Sequence, residues 1–311
     1  MKKETKLIVP FFGDIFIYQY NYFLRHFHLP VTYIKKKFAQ FKQKWYNDYV
    51  KHYERSAIIM AQVQVQEVLK RFNEFADSYI QKGVTLADQN AYILKREHTI
   101  RVLEAAKGIL ERSADVSEEE KLIVQISAIL HDVGRFEQWK TTGSYKDEST
   151  GGHAQIGADM LQFGLIQKFI PETRDYDKII ISAVRWHGSL ELPDDLFDEE
   201  RLVTQILRDA DRMDIFYQCT LESDYQELYK QDWGGQVLTR KVREKFKKAE
   251  PIDFKLVQSK LDMLALRMGL MKQLSMSASR KYVLDKKLPK RMADFFERKF
   301  PYYERREVEW L

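Results

Sequence analysis

From Val31 to about Lys82 apolar residues recur at helical spacing, with Phe38, Phe41, Trp45 and Tyr49 followed by Val63, Val68, Phe72 and Phe75, and no Gly or Pro interrupts them. The pattern predicts two or three amphipathic helices. Gly83 and the polar run Asp88, Gln89, Asn90 mark a break, after which Leu94, His98, Val102, Ala105 and Ile109 define a helix to about Arg112. Ser117 with Glu120 three residues on is a capping box, and Leu122, Ile123, Ile126, Ile129 and Leu130 form the apolar stripe behind it. Gly134 is expected to stop that helix, which places His131 and Asp132 in its last turn.

The polar, Gly-containing run from Thr141 to Gly152 predicts a loop, with His153 opening the next helix. A further helix is predicted from about Asp177 to His187, closed by Gly188. A longer one follows from about Glu199 to Glu222, with Arg208, Asp209, Ala210, Asp211, Arg212 and Met213 at its middle. The segment from Trp233 to Leu311 again reads as helical and basic. The expected architecture is all-α: an accessory helical segment over about residues 1–85, a core over about 86–225, and a helical extension over about 226–311 that packs on the core and covers its face.

Composition narrows this. The 311 residues are 44% hydrophobic and 31% charged, which supplies a sizeable core and excludes disorder as the dominant state. Only 13 Gly and 7 Pro occur beside 17 Tyr and 19 Phe, few breakers and many bulky anchors for helix packing. The single cysteine, Cys219, allows no internal disulfide and no thiolate metal site, so a metal has to be held by His and carboxylates, and a reducing cytoplasm is the expected setting.

The net charge of +5 is the difference of 51 basic and 46 acidic groups, which permits a nucleic-acid partner without arguing for one. The basic front segment with its interleaved aromatics reads first as helices with charged outer faces. An apolar stretch runs from Leu7 to Leu24 behind a basic start. Pro10, Asp14, Gln19 and Asn21 interrupt it and no small-residue cleavage pattern follows, so neither a leader nor a membrane span is expected.

A His-Asp dipeptide means little in a chain with 7 His and 46 acids; the setting of His131 and Asp132 means more. They sit where an apolar helix ends, and two polar groups there need something to satisfy them. Four of the histidines, His98, His131, His153 and His187, fall one per predicted helix, and a fifth helix carries Asp211. Helix bundles build metal sites by converging imidazoles and carboxylates from separate helices. Such a nitrogen-rich set suits Mn, Fe, Co, Ni or Zn and is poor for Ca or Mg. Singly, His98 reads as a satisfied core histidine and His187 as a complement to its helix dipole. His26 and His28, near Pro30, read as structural, as do the aromatic stripes of both end segments. Arg212 reads as a partner of Asp209, and Asp214 as a group supporting a ligand.

Together these segments resemble the HD superfamily of metal-dependent phosphohydrolases. The resemblance is carried by His98 in REHTIRV, His131 and Asp132 in LHDVGRFEQ, His153 in GGHAQIGA, His187 in AVRWHG and Asp211 in RDADRMD. It spans about Arg96 to Leu221, excludes the first 85 or so residues, and follows the order of the binuclear branch. It implies one metal on His98, His131, Asp132 and Asp211, and a second, reached through a bridging Asp132, on His153 and His187.

The implied activity is hydrolysis of a phosphoester of a nucleotide or related small metabolite by a metal-activated hydroxide. Arg135, one turn beyond Asp132, is the candidate cation for the phosphoryl group because a guanidinium matches phosphate oxygens; Lys146 in the polar loop is a second. Two other functions use the same residues: an HD-type di-iron oxygenase, and a regulatory or nucleic-acid-binding protein with a structural metal. The apolar surface of the end segments also leaves room for a homodimer interface.

Overall fold

The computed structural model describes residues 31–147, 152–171, 174–218 and 237–299, and they fall into two compact units divided between Met60 and Ala61. The stretch Leu7–Leu24, His26, His28, Cys219 and the end of the helix expected to reach Glu222 lie outside these residues.

The described residues are all-α, without a strand. In place of two or three helices, one helix, α1, runs unbroken over Val31–Ile80. Its sequence holds no Gly or Pro, and apolar periodicity by itself contains no signal that ends a helix. In the second unit Val65, Val68, Phe72 and Ala76 of α1 are buried, and the rings of Phe72 and Phe75 meet Phe136 edge-on.

Helix α2 spans Leu86–Leu110. Asp88, Gln89 and Asn90 belong to its first turns rather than to a break. The Thr85 side chain accepts from the Asp88 N–H while the Asp88 carboxylate accepts from the Thr85 N–H, a capping box written Thr-x-x-Asp. Helix α3 spans Glu118–Leu130 with the Ser117/Glu120 box in place, and Leu122, Ile123, Ile126, Ile129 and Leu130 are buried.

Gly134 does not end α3. That helix closes at His131, and Gly134 lies inside the next helix, α4, Val133–Thr142. Its lack of a side chain serves an approach between helices instead. A Cβ there would lie 2.2 Å from the His153 carbonyl oxygen and 2.5 Å from the Gly157 N, both in α5, His153–Met160. A short helix α6 (Ile166–Phe169) leads to α7 (Asp177–Trp186) and α8 (Asp198–Gln218). Helices α2, α3, α7 and α8 pack on one another, and α5 packs against α4 and α7.

The C-terminal extension forms α9 (Arg240–Lys247), α10 (Lys260–Gly269), α11 (Ser277–Asp285) and α12 (Leu288–Lys299). Two residues of α8 dock it. Asp209, wholly buried, accepts backbone N–H bonds from Ser275 and Met276 at 2.9–3.0 Å. Arg212 donates to the Gln273 carbonyl at 2.6 Å and lies 3.8 Å from Asp209. A buried carboxylate with two N–H donors beside a guanidinium is well satisfied, so this joint holds the extension against the core. No helix among the described residues is long and apolar enough to cross a membrane.

Candidate metal centre

Five helices deliver six side chains to one place. His98 comes from the middle of α2, His131 and Asp132 from the α3–α4 junction, His153 from the first turn of α5, His187 from the end of α7 and Asp211 from α8. All six are buried, from wholly so at His131 to 9% exposed at Asp211. The apolar stripe of α3 fixes the backbone that presents His131 and Asp132. The Gly134–Gly157 approach lets α5 lie close enough for His153 to reach the same point.

The ligand-type atoms form two groups that share Asp132. On its Oδ2 side, His98 Nε2 lies 3.4 Å from Asp132 Oδ2, 3.1 Å from Asp211 Oδ1 and 3.2 Å from His131 Nε2. On its Oδ1 side, His153 Nε2 lies 3.4 Å from Asp132 Oδ1 and 3.1 Å from His187 Nε2, while His187 Nε2 is 3.9 Å from Asp132 Oδ1. Ligands about 2.1 Å from a common ion sit about 3.0–3.4 Å apart in octahedral or tetrahedral geometry, so most of these separations are those of a coordination sphere. His98, His131 and Asp211 form one trio able to hold a metal, and His131, Asp132 and His187 another.

The opposite edge of each imidazole is committed. His131 Nδ1 donates to the Ala128 carbonyl at 2.8 Å and His187 Nδ1 to the Val184 carbonyl at 2.7 Å. His98 Nδ1 meets Asp214 Oδ2 at 2.6 Å, and His153 Nδ1 meets Asp147 Oδ1 at 3.0 Å. With the hydrogen on Nδ1 in every ring, Nε2 is the nitrogen turned inward, the tautomer a metal requires. Asp211 Oδ1 is buried and, apart from His98 Nε2 at 3.1 Å, has no hydrogen-bond partner. Imidazole nitrogens and carboxylate oxygens turned inward this closely fit divalent cations.

The electrostatics agree. Burial pushes His131 down, and burial together with the neighbouring His153 and His131 pushes His187 down to about 3, so both are neutral ligands. Burial opposes ionisation of Asp132, but Lys95, together with the neighbouring His131 and His153 and with Arg135, outweighs it and holds the carboxyl well below its usual range. For His98, burial and Lys95 favour the neutral ring, yet Asp211 and Asp214 win and raise it to about 9. Without a cation, two carboxylates keep a second proton on that ring.

Sequence reasoning identified Asp214 as a supporting group and missed several others. Lys95 Nζ lies 2.8 Å from Asp132 Oδ2; its place one turn before His98 on α2 was the available signal. Gln218, one turn after Asp214, donates to that carboxylate at 2.6 Å, and Arg101 reaches it at the same distance. Asp147 accepts from the His153 backbone N–H at 3.0 Å as well as meeting its ring. No local pattern marked Asp147.

Arg135 Nη1 bonds the Tyr145 carbonyl and Gln138 at 2.8 Å and Asp147 at 3.0 Å, and its Nε lies 3.7 Å from Asp132 Oδ1. The guanidinium thus braces the loop to the centre while facing the cavity. Lys146 does not line that cavity. The cavity, about 260 Å³, opens over the two groups; Lys95, Arg135, Arg212 and Arg267 are the cations of its wall.

Residues 96–215 match the family model described as HD domain. The match covers the part of the chain that carries His98, His131, Asp132, His153, His187 and Asp211, and so supports the resemblance to the HD superfamily. No curated protein and no solved structure matches the chain.

Proposed function

We propose that the protein is a metal-dependent phosphohydrolase that cleaves a phosphoester of a nucleotide or related small metabolite. The observation that carries the reading is Asp132, whose two oxygens each face a separate pair of inward Nε2 atoms beneath a cavity walled by cations. His98, His131, Asp132 and Asp211 would hold one divalent ion, and Asp132, His153 and His187 a second. Such a pair supplies Lewis acidity, lowering the pKa of water and withdrawing charge from a phosphoryl oxygen.

The chain's own residues do the rest. Lys95 and Arg135 set a positive potential at the floor of the cavity, where a phosphate dianion is drawn in and where charge grows as the ester bond breaks. Asp214 and Asp147 orient His98 and His153 and keep their Nδ1 atoms protonated. The low exposure of the six inward groups excludes bulk water, which strengthens each of these interactions.

The test is metal analysis of gently purified full-length protein coupled to a phosphate-release screen over nucleotides and sugar phosphates. Release that depends on a divalent metal and is lost in Asp132→Ala supports the reading. Dioxygen uptake by an iron-loaded form with no phosphate release from any ester overturns it in favour of oxidation.

A further inference from the structure

The HD match ends at residue 215, yet the cavity does not. Its far wall is Ile252, Phe254, Met263, Leu266, Arg267 and Leu270, all from the C-terminal extension. Met263 is buried; Phe254 and Leu266 are half-buried and pack against it with Val257, a small apolar cluster that Leu266 links to the main core. The Asp209 and Arg212 joint fixes this wall in place opposite the centre. The two halves of the cavity therefore differ in chemistry. The floor is ionic, while the extension contributes five apolar residues, the Arg267 guanidinium and Gln273. Among the described lining residues the carboxylates, Asp132, Asp147 and Asp211, all belong to the centre. Apolar side chains thus make up most of what the extension adds to the wall.

We infer that this wall is the subsite for the leaving group, and that it selects phosphoesters whose alcohol portion presents a compact apolar or aromatic ring rather than a free sugar or polyol. The inference rests on the phosphohydrolase reading and narrows its substrate class. Three considerations favour a ring. A cavity of about 260 Å³ has room for a phosphoryl group and a ring beside it. Phe254 and Met263 give the adaptable, polarisable surface that ring faces pack against. Arg267 adds a planar cation able to lie over a ring or donate to its edge.

The test uses metal-loaded full-length protein and two non-hydrolysable anions of equal charge, phenylphosphonate and methylphosphonate, titrated calorimetrically. Removing about 80 Å² of ring surface from water predicts about 30-fold tighter binding of the phenyl compound. In Leu266→Asn that ratio should fall below about 5-fold. Phe254→Ser, in a short turn outside the main core, serves the same purpose should the first variant not fold. Hydrolysis compares benzyl phosphate with ribose 5-phosphate, both primary alcohol leaving groups, and a kcat/KM advantage of 10-fold or more for benzyl phosphate is expected. Equal affinities for the two phosphonates, no binding of either, or equal turnover of the two esters overturns the subsite. Selective phenylphosphonate binding without phosphate release from any ester would instead uphold the subsite and refute the hydrolase.

Discussion

Gly134→Ala probes the account where the fold creates the site. Gly134 lies in a helix with ordinary φ, so alanine gains helix propensity and any loss must come from contact. The added methyl would lie 2.2 Å from the His153 carbonyl oxygen, 2.5 Å from the Gly157 N and 2.9 Å from the Gly157 Cα, all backbone atoms unable to rotate away. Restoring a separation of about 3.4 Å displaces α5 by about 1 Å, an overpacking that costs about 1–3 kcal/mol. That displacement acts on His153, whose Nε2 now sits 3.4 Å from Asp132 Oδ1, and a metal–nitrogen bond does not survive a 1 Å stretch. The expected outcome is a Tm lower by several degrees and loss of the second ion, with the first, on His98, His131, Asp132 and Asp211, retained. Differential scanning calorimetry and elemental analysis read the two effects. Unchanged metal content with unchanged Tm would refute the claim that the Gly134–Gly157 approach positions His153.

Other consequences follow from single contacts. Asp147→Ala removes the acceptor for His153 Nδ1 and should weaken the second ion 10–100-fold, measured by competition with a chelator, while the first is held as before. Asp209→Ala strips the acceptor from the Ser275 and Met276 N–H groups and should lower stability by about 3 kcal/mol and raise proteolytic susceptibility in the C-terminal extension; a wild-type digestion pattern would contradict this. Ser117→Ala should cost about 1 kcal/mol in thermal unfolding and leave metal content alone, because the cap lies at the far end of α3 from His131. In the metal-free chain His98 is raised from 6.5 to about 9, so its charged form stabilises the fold fully below about 6.5 and the contribution is lost as pH rises through 9. A metal must displace that proton, so affinity at the first site should climb across the same window by up to about tenfold per pH unit. Titrations at several pH values check this, and a flat response would refute it.

The helices and the six inward residues were legible in the sequence because their signals are local. Ser117 and Glu120 announce α3, the stripe from Leu122 to Leu130 shows its buried face, and the order of His98, His131, Asp132, His153, His187 and Asp211 carries the resemblance. Asp214 was legible for the same reason, lying one turn from Asp211. What was not legible is set by distance in space. Gly134 reads as a helix stop until α5 is seen crossing it, and α1 reads as several helices because periodicity does not encode length. Lys95 on Asp132, Asp147 on His153 and the docking role of Asp209 depend on partners far along the chain or on loop geometry. The same holds for the apolar wall from Ile252 to Leu270, whose side chains read as ordinary core until the extension is placed over the cavity.

The most direct measurement is metal stoichiometry by elemental analysis of full-length protein, in the wild type and in Asp132→Ala, His187→Ala and Asp211→Ala. Two divalent ions per chain in the wild type, about one in the His187 and Asp211 variants and almost none in the Asp132 variant is the pattern these positions predict. Two ions retained after loss of Asp132 would contradict it.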